Sequence, residues 1–112
     1  AGGFEIPYED TAKGKVKEWL DAYKKAFSST PNTQAIIGYN TVKTLEHYLK
    51  KAGKDLTGDK LLAALESGDV FQDIFGSPPT KFSKTDHLAT TITSVQQVKG
   101  GRWVMVKDGL SF

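Results

Sequence analysis

Val95-Gln96-Gln97-Val98-Lys99-Gly100-Gly101-Arg102-Trp103-Val104-Met105-Val106 decides the fold, because it turns a chain of helical patterns into one of mixed class. At its centre, Lys99-Gly100-Gly101-Arg102 is a hairpin signal, since glycine supplies the positive φ that tight turns between paired strands need. The return strand, Arg102 to Val106, is apolar at every position from Trp103 on. Both its faces therefore want cover, from a helix on one side and another surface on the other. The outgoing stretch, Ala89 to Val98, is rich in Thr, Val and Ile, which favours β structure. Ile92, Val95 and Val98 recur every third residue, and a regular strand cannot put all three on one face. A bulge or twist is expected there, where the strand passes between structural layers.

Three helices are expected upstream. Ala12, Val16, Trp19, Leu20, Tyr23 and Phe27 form one apolar stripe and predict a helix from about Thr11 to Ser28, capped by Asp10 or Thr11, with Gly14 as its weak point. A second helix should cover Gln34 to Ala52, with Asn32 or Thr33 as its cap and Gly53 as a left-handed stop. Its buried stripe reads as Val42, Leu45, Leu49 and Ala52, joined by Ala35 and Gly38. Tyr39 falls at the edge of that stripe, where a tyrosine either offers ring and hydroxyl to a cleft or packs half-buried. His47 projects on the polar side and reads as a surface residue. Thr57 caps a short third helix through Leu61, Leu62, Ala64 and Leu65, closed by Gly68. Asp69 to Ser77 reads as loop, with Val70, Phe71, Ile74 and Phe75 as apolar pegs. Pro78-Pro79 forces an extended path into a short strand at Thr80 to Phe82, and Ser83 to His87 is a turn.

Composition excludes several function classes. At 112 residues, 38% hydrophobic and 25% charged, the chain fits one globular domain with a modest core. No apolar run approaches the roughly 20 residues a membrane-crossing helix needs. The start, Ala1-Gly2-Gly3-Phe4-Glu5, lacks the basic and apolar segments of a secretory signal, so the chain is cytoplasmic, already processed, or cut from something larger. The net charge is +2 and Arg102 is the only arginine, which argues against sequence-specific nucleic-acid reading. Without cysteine there is no disulfide, thiolate metal site or cysteine nucleophile. His47 and His87 stand 40 residues apart with no acidic partner at metal-ligand spacing, so no metal site is expected. No nucleophile elbow, phosphate-binding glycine loop or dinucleotide fingerprint occurs. Glu9-Asp10 is a helix-start signature, and Ser83, Asp86 and His87 belong to a turn, so no catalytic residue and no cofactor are assigned.

The order of motifs carries more. Pro7-Tyr8-Glu9-Asp10 precedes a helix containing Trp19-Leu20-Asp21-Ala22-Tyr23-Lys24-Lys25-Ala26-Phe27; Pro31 follows, and Gly38-Tyr39-Asn40 opens the second helix. Then come Leu49-Lys50-Lys51-Ala52-Gly53, Leu61-Leu62-Ala63-Ala64-Leu65-Glu66, Phe75-Gly76, Lys81-Phe82-Ser83, Asp86-His87 and Val95-Gln96-Gln97-Val98-Lys99-Gly100-Gly101. From about Glu5 to Val106 this resembles the C-terminal third of the branched-chain amino acid (Leu/Ile/Val) solute-binding proteins, the type I periplasmic receptors of ABC importers.

The resemblance implies an α/β fragment of a bilobal receptor: three helices, then short strands and a hairpin. Residues 1–88 would be the helical part of one lobe, and residues 89–112 the crossover strand and C-terminal hairpin. It implies a periplasmic or extracytoplasmic location, an amino acid or related small carboxylate as ligand, and an ABC permease in the membrane as partner. The aromatic of the family's Gly-Tyr-Asp/Asn motif lines the ligand cleft, which carries over to Tyr39; Asn40 stands where the family commonly has Asp. The groups that grip the ligand's charged ends lie mostly earlier in such proteins. Two other readings are a self-contained interaction module that dimerises through its β tail and an enzyme of unrecognised type. As an isolated fragment the chain is expected to form a homo-oligomer, because the strand Trp103 to Val106 would otherwise stay bare.

Overall fold

The hairpin forms where the two glycines stand. In the computed structural model, which describes residues 3–112, Gly100 and Gly101 both adopt positive φ, 57° and 77°, between β3 (Ile92–Lys99) and β4 (Arg102–Ser111). The strands pair antiparallel from Lys99 opposite Arg102 to Ile92 opposite Ser111. The register slips between Thr93 and Val95 and again between Val95 and Gln96, the irregularity expected from the three-residue spacing of Ile92, Val95 and Val98. The return strand runs to Ser111, beyond the Val106 read from its apolar residues, because Lys107, Asp108 and Gly109 continue past the bulge.

The helices are α1 (Gly14–Phe27), α2 (Thr33–Ala52) and α3 (Gly58–Leu65). Helix α1 starts later than the apolar stripe indicated. Thr11 and Ala12 donate their N–H groups to the Tyr8 carbonyl in a separate turn, and Gly14 has φ +56°, so helical geometry cannot extend back to Thr11. Its cap position is Lys13, which makes no side-chain cap bond. Asn32 caps α2, accepting from Ala35 N–H at 3.0 Å, and Thr57 caps α3, accepting from Lys60 N–H at 3.2 Å. Gly53 ends α2 with positive φ but extended ψ (90°, −177°), outside the left-handed helical region, and α3 stops at Glu66 before reaching Gly68.

The segment after α3 corrects the sequence reading. Ser67–Phe71 is a strand, β1, and the loop begins only after it; β1 pairs antiparallel with β2 (Thr80–Ser83). Pairing with an already extended Pro-led segment supplies the hydrogen bonds that local sequence did not promise. The described residues thus form two separate two-stranded antiparallel sheets beside three helices.

The core is small: among the described residues, Leu20, Ile36, Tyr48, Ala64 and Phe75 are the buried apolar ones. The buried face of α2 is therefore the ridge Ile36–Asn40–Thr44–Tyr48, and not Val42 and Leu45, which are 64% and 48% exposed. The accessible surface is 7690 Å², against about 6,100 Å² for a compact monomer of this mass. The radius of gyration, 16.0 Å, likewise exceeds the roughly 13 Å of a compact chain of this length. Part of the excess lies on β4, where Trp103, Val104 and Val106 stay 52%, 41% and 54% exposed. Cover for the hairpin comes from the extended segment 3–10 rather than from a helix. Gln96 Nε2 donates to the Phe4 carbonyl at 2.8 Å, Trp103 N–H to the Tyr8 hydroxyl at 2.8 Å, and Arg102 reaches both Asp10 carboxylate oxygens at 2.9 Å.

Candidate functional site

Tyr39, the one side chain singled out from sequence for ligand contact, stands two turns into α2 in a cluster of rings. Trp19 of α1 lies 5.6 Å from it, centroid to centroid, and Phe75 of the β1–β2 loop lies 5.9 Å away, edge to face. Trp19 and Phe75 meet at 4.9 Å, also edge to face, so the three rings close a triangle. Tyr23 extends it along α1, 5.7 Å from Trp19. Phe75 is buried, whereas Tyr39 and Trp19 keep part of their surface in solvent. The Tyr39 hydroxyl bonds to no other described residue. Lys43 places its ammonium 5.9 Å from the Tyr39 ring centre and pairs with Glu46 at 2.7 Å. Those contacts hold Glu46, with Lys43 as the main cause and Lys50 second, down at about 2 and raise Lys43.

Next to Tyr39, Asn40 turns inward. Its Nδ2 donates to Asp73 Oδ2, and Asp73 also accepts from Phe75 N–H at 2.9 Å, Ser77 N–H at 3.1 Å and the Ser77 hydroxyl. One carboxylate therefore fastens α2 to the loop that carries Phe75. Asn40 Oδ1 is buried and has no hydrogen-bond partner among the described residues. Sequence reasoning missed Asp73, although Asp followed by N–H donors two and four residues on is the pattern of an Asx turn.

His47 also departs from its reading as a plain surface residue. It is half-buried, its Nε2 lies 2.8 Å from Asp69 Oδ2, and its ring packs edge-on against Tyr48 at 5.0 Å. That contact, with Lys51 at 3.6 Å, holds the Asp69 carboxyl below its ordinary range, His47 being the larger cause. The other histidine, His87, contacts Glu66 at 2.9 Å, and Ser83 and Asp86 form the expected turn. Among the described residues no cluster of His, Asp and Glu could hold a metal ion, and no helix is long and apolar enough to cross a membrane.

Elsewhere, a groove of about 440 Å³ between α2 and β2 is lined by Phe4, Ile37, Asn40, Leu45, Leu65 and Phe82. It is open and largely apolar; its lining includes Tyr48, whose hydroxyl is already committed to the Asp69 carbonyl at 2.9 Å. The rings at Tyr39, by contrast, combine a partly exposed apolar surface with a hydroxyl that bonds to no other described residue.

No curated protein and no solved structure matches the chain. Residues 3–102 match the family described as Periplasmic binding protein, whose members bind solutes and are not enzymes. With three helices, two antiparallel hairpin sheets and a match over nearly its whole length, the chain belongs to the periplasmic binding protein family.

Proposed function

We propose that the chain is the C-terminal portion of an extracytoplasmic solute-binding receptor that delivers an amino acid or related small carboxylate to an ABC permease. The observation that carries this is the family match over residues 3–102. The motif order from Pro7 to Gly101 narrows it to the branched-chain type, because that order resembles the last third of such receptors. In this reading residues 1–88 supply the helices of one lobe and residues 89–112 the crossover strand and hairpin. The longer parent polypeptide carries an export signal. Tyr39 lines the ligand cleft, its ring giving apolar contact and its free hydroxyl a polar one. The excess exposed surface agrees, since helix and strand faces left bare here would be covered by upstream elements. Calorimetric titration of the parent with leucine, with and without Tyr39→Ala, tests the proposal; a parent that binds no amino acid or small carboxylate refutes it.

The exposed Trp103, Val104 and Val106 favour one alternative, an interaction module that pairs through its β tail. A messenger whose reading frame opens with its own start codon just before Ala1 would favour that alternative.

A further inference from the structure

We infer that Asn40 and Asp73 are positioning residues for the aromatic surface at Tyr39, forming a latch that fixes Phe75 and Trp19 against it. The inference rests on the reading of Tyr39 as a ligand contact. The geometry is a closed circuit. Asn40 follows Tyr39 on α2 and donates to Asp73; Asp73 holds the backbone N–H groups of Phe75 and Ser77; the Phe75 ring returns to Tyr39 at 5.9 Å and to Trp19 at 4.9 Å. Nothing in the circuit is redundant, because Asp73 uses one oxygen for the loop backbone and the other for Asn40 and the Ser77 hydroxyl. The orphaned Asn40 Oδ1 shows which way the amide is constrained. Turning it over would set its oxygen against the carboxylate, so the amide keeps its donor on Asp73 and leaves the oxygen unpaired.

That asymmetry makes the test specific. Asn40→Asp places two carboxylates face to face and should spring the latch. Asp73→Asn should be tolerated, because the Asn40 amide can turn over and its oxygen then gains a donor. The exchange Asn40→Asp with Asp73→Asn should restore the pair with roles reversed. In a Trp103→Phe background Trp19 is the only tryptophan, and its ring lies in the circuit. Acrylamide quenching of Trp19 should rise about twofold in Asn40→Asp, and return to the parent value in the exchanged pair, as expected for directly coupled residues. A folded Asn40→Asp chain with unchanged quenching overturns the inference, and so does an exchanged pair that fails to restore it. Should Asn40→Asp alone not fold, recovery of folding in the exchanged pair supports the latch and continued failure overturns it. The fluorescence result stands without ligand. An unchanged leucine affinity in Tyr39→Ala parent protein would therefore fault the ligand reading while leaving the latch intact.

Discussion

Tyr48, wholly buried in α2, donates its phenolic hydrogen to the main-chain carbonyl of Asp69 at 2.9 Å. The bond ties the longest helix to β1, the strand that the sequence did not announce. Burial is the main cause that raises the Tyr48 hydroxyl above its ordinary range, with the Asp69 carboxylate second, so it stays a donor at any physiological pH.

Tyr48→Phe should cost about 1–2 kcal/mol, the loss of one buried hydrogen bond with its acceptor left unpaired. The urea midpoint should fall with little change in slope. An unchanged midpoint would mean that water replaces the hydroxyl at Asp69.

Acid should weaken the fold through the carboxylates. Asp69 and Glu46 have folded pKa values below their ordinary ones, so the unfolded chain binds more protons and stability rises with pH. That contribution is present above the ordinary carboxylate range and is lost as pH falls through the folded values, for Glu46 from 4.5 toward about 2. Both groups are solvent-facing, so salt should blunt the effect. Urea midpoints measured down this range should decline, and less steeply in Asp69→Asn; equal slopes in both proteins would remove Asp69 from the account.

On the proposed reading, Tyr39→Ala in the longer parent should weaken leucine binding by about 1–3 kcal/mol, the loss of one cleft aromatic. On the same reading the 112-residue chain alone should not bind leucine at micromolar concentration, because that reading puts the groups holding the ligand's charged ends in a longer parent. Micromolar binding by the isolated chain would place a complete site within it.

The isolated chain should associate. Its surface exceeds that of a compact monomer by about 1,600 Å², twice the roughly 800 Å² each partner gives to an ordinary interface. A two-stranded sheet such as β3–β4, with open edges, is marginal alone and pairs readily with another copy. Light scattering at micromolar concentration should report more than the 12.2 kDa of one chain. A clean folded monomer would show that the helices and hairpin need no partner.

The sequence made the three helices, their Asn32 and Thr57 caps, the Gly100-Gly101 turn and the bulge in β3 legible, because each rests on local chemistry within a few residues. The buried face of α2 was not legible. Hydropathy favours Val42 and Leu45, yet the inward ridge includes Asn40 and Thr44, whose amide and hydroxyl donors are taken up by Asp73 and by the Asn40 carbonyl. Partners 33 residues away, as Asp73 is from Asn40, leave no periodic trace. Strand β1 escaped for the same reason: Val70 and Phe71 become a strand only because Lys81 and Thr80 lie opposite. Tyr39 was legible as a residue of interest, while Trp19 and Phe75 beside it read only as core and loop.

The contacts between segment 3–10 and the hairpin join the two ends of the chain: Phe4 to Gln96 and Asp10 to Arg102 span 92 residues, and Tyr8 to Trp103 spans 95. Loop closure over that length makes them late events in folding. During translation at roughly 5–20 residues per second, the opening segment waits about 5–20 s for its hairpin to be made. Through that interval Phe4, Ile6 and Tyr8 have no strand to lie on, and a nascent chain is most open to chaperones and proteases there.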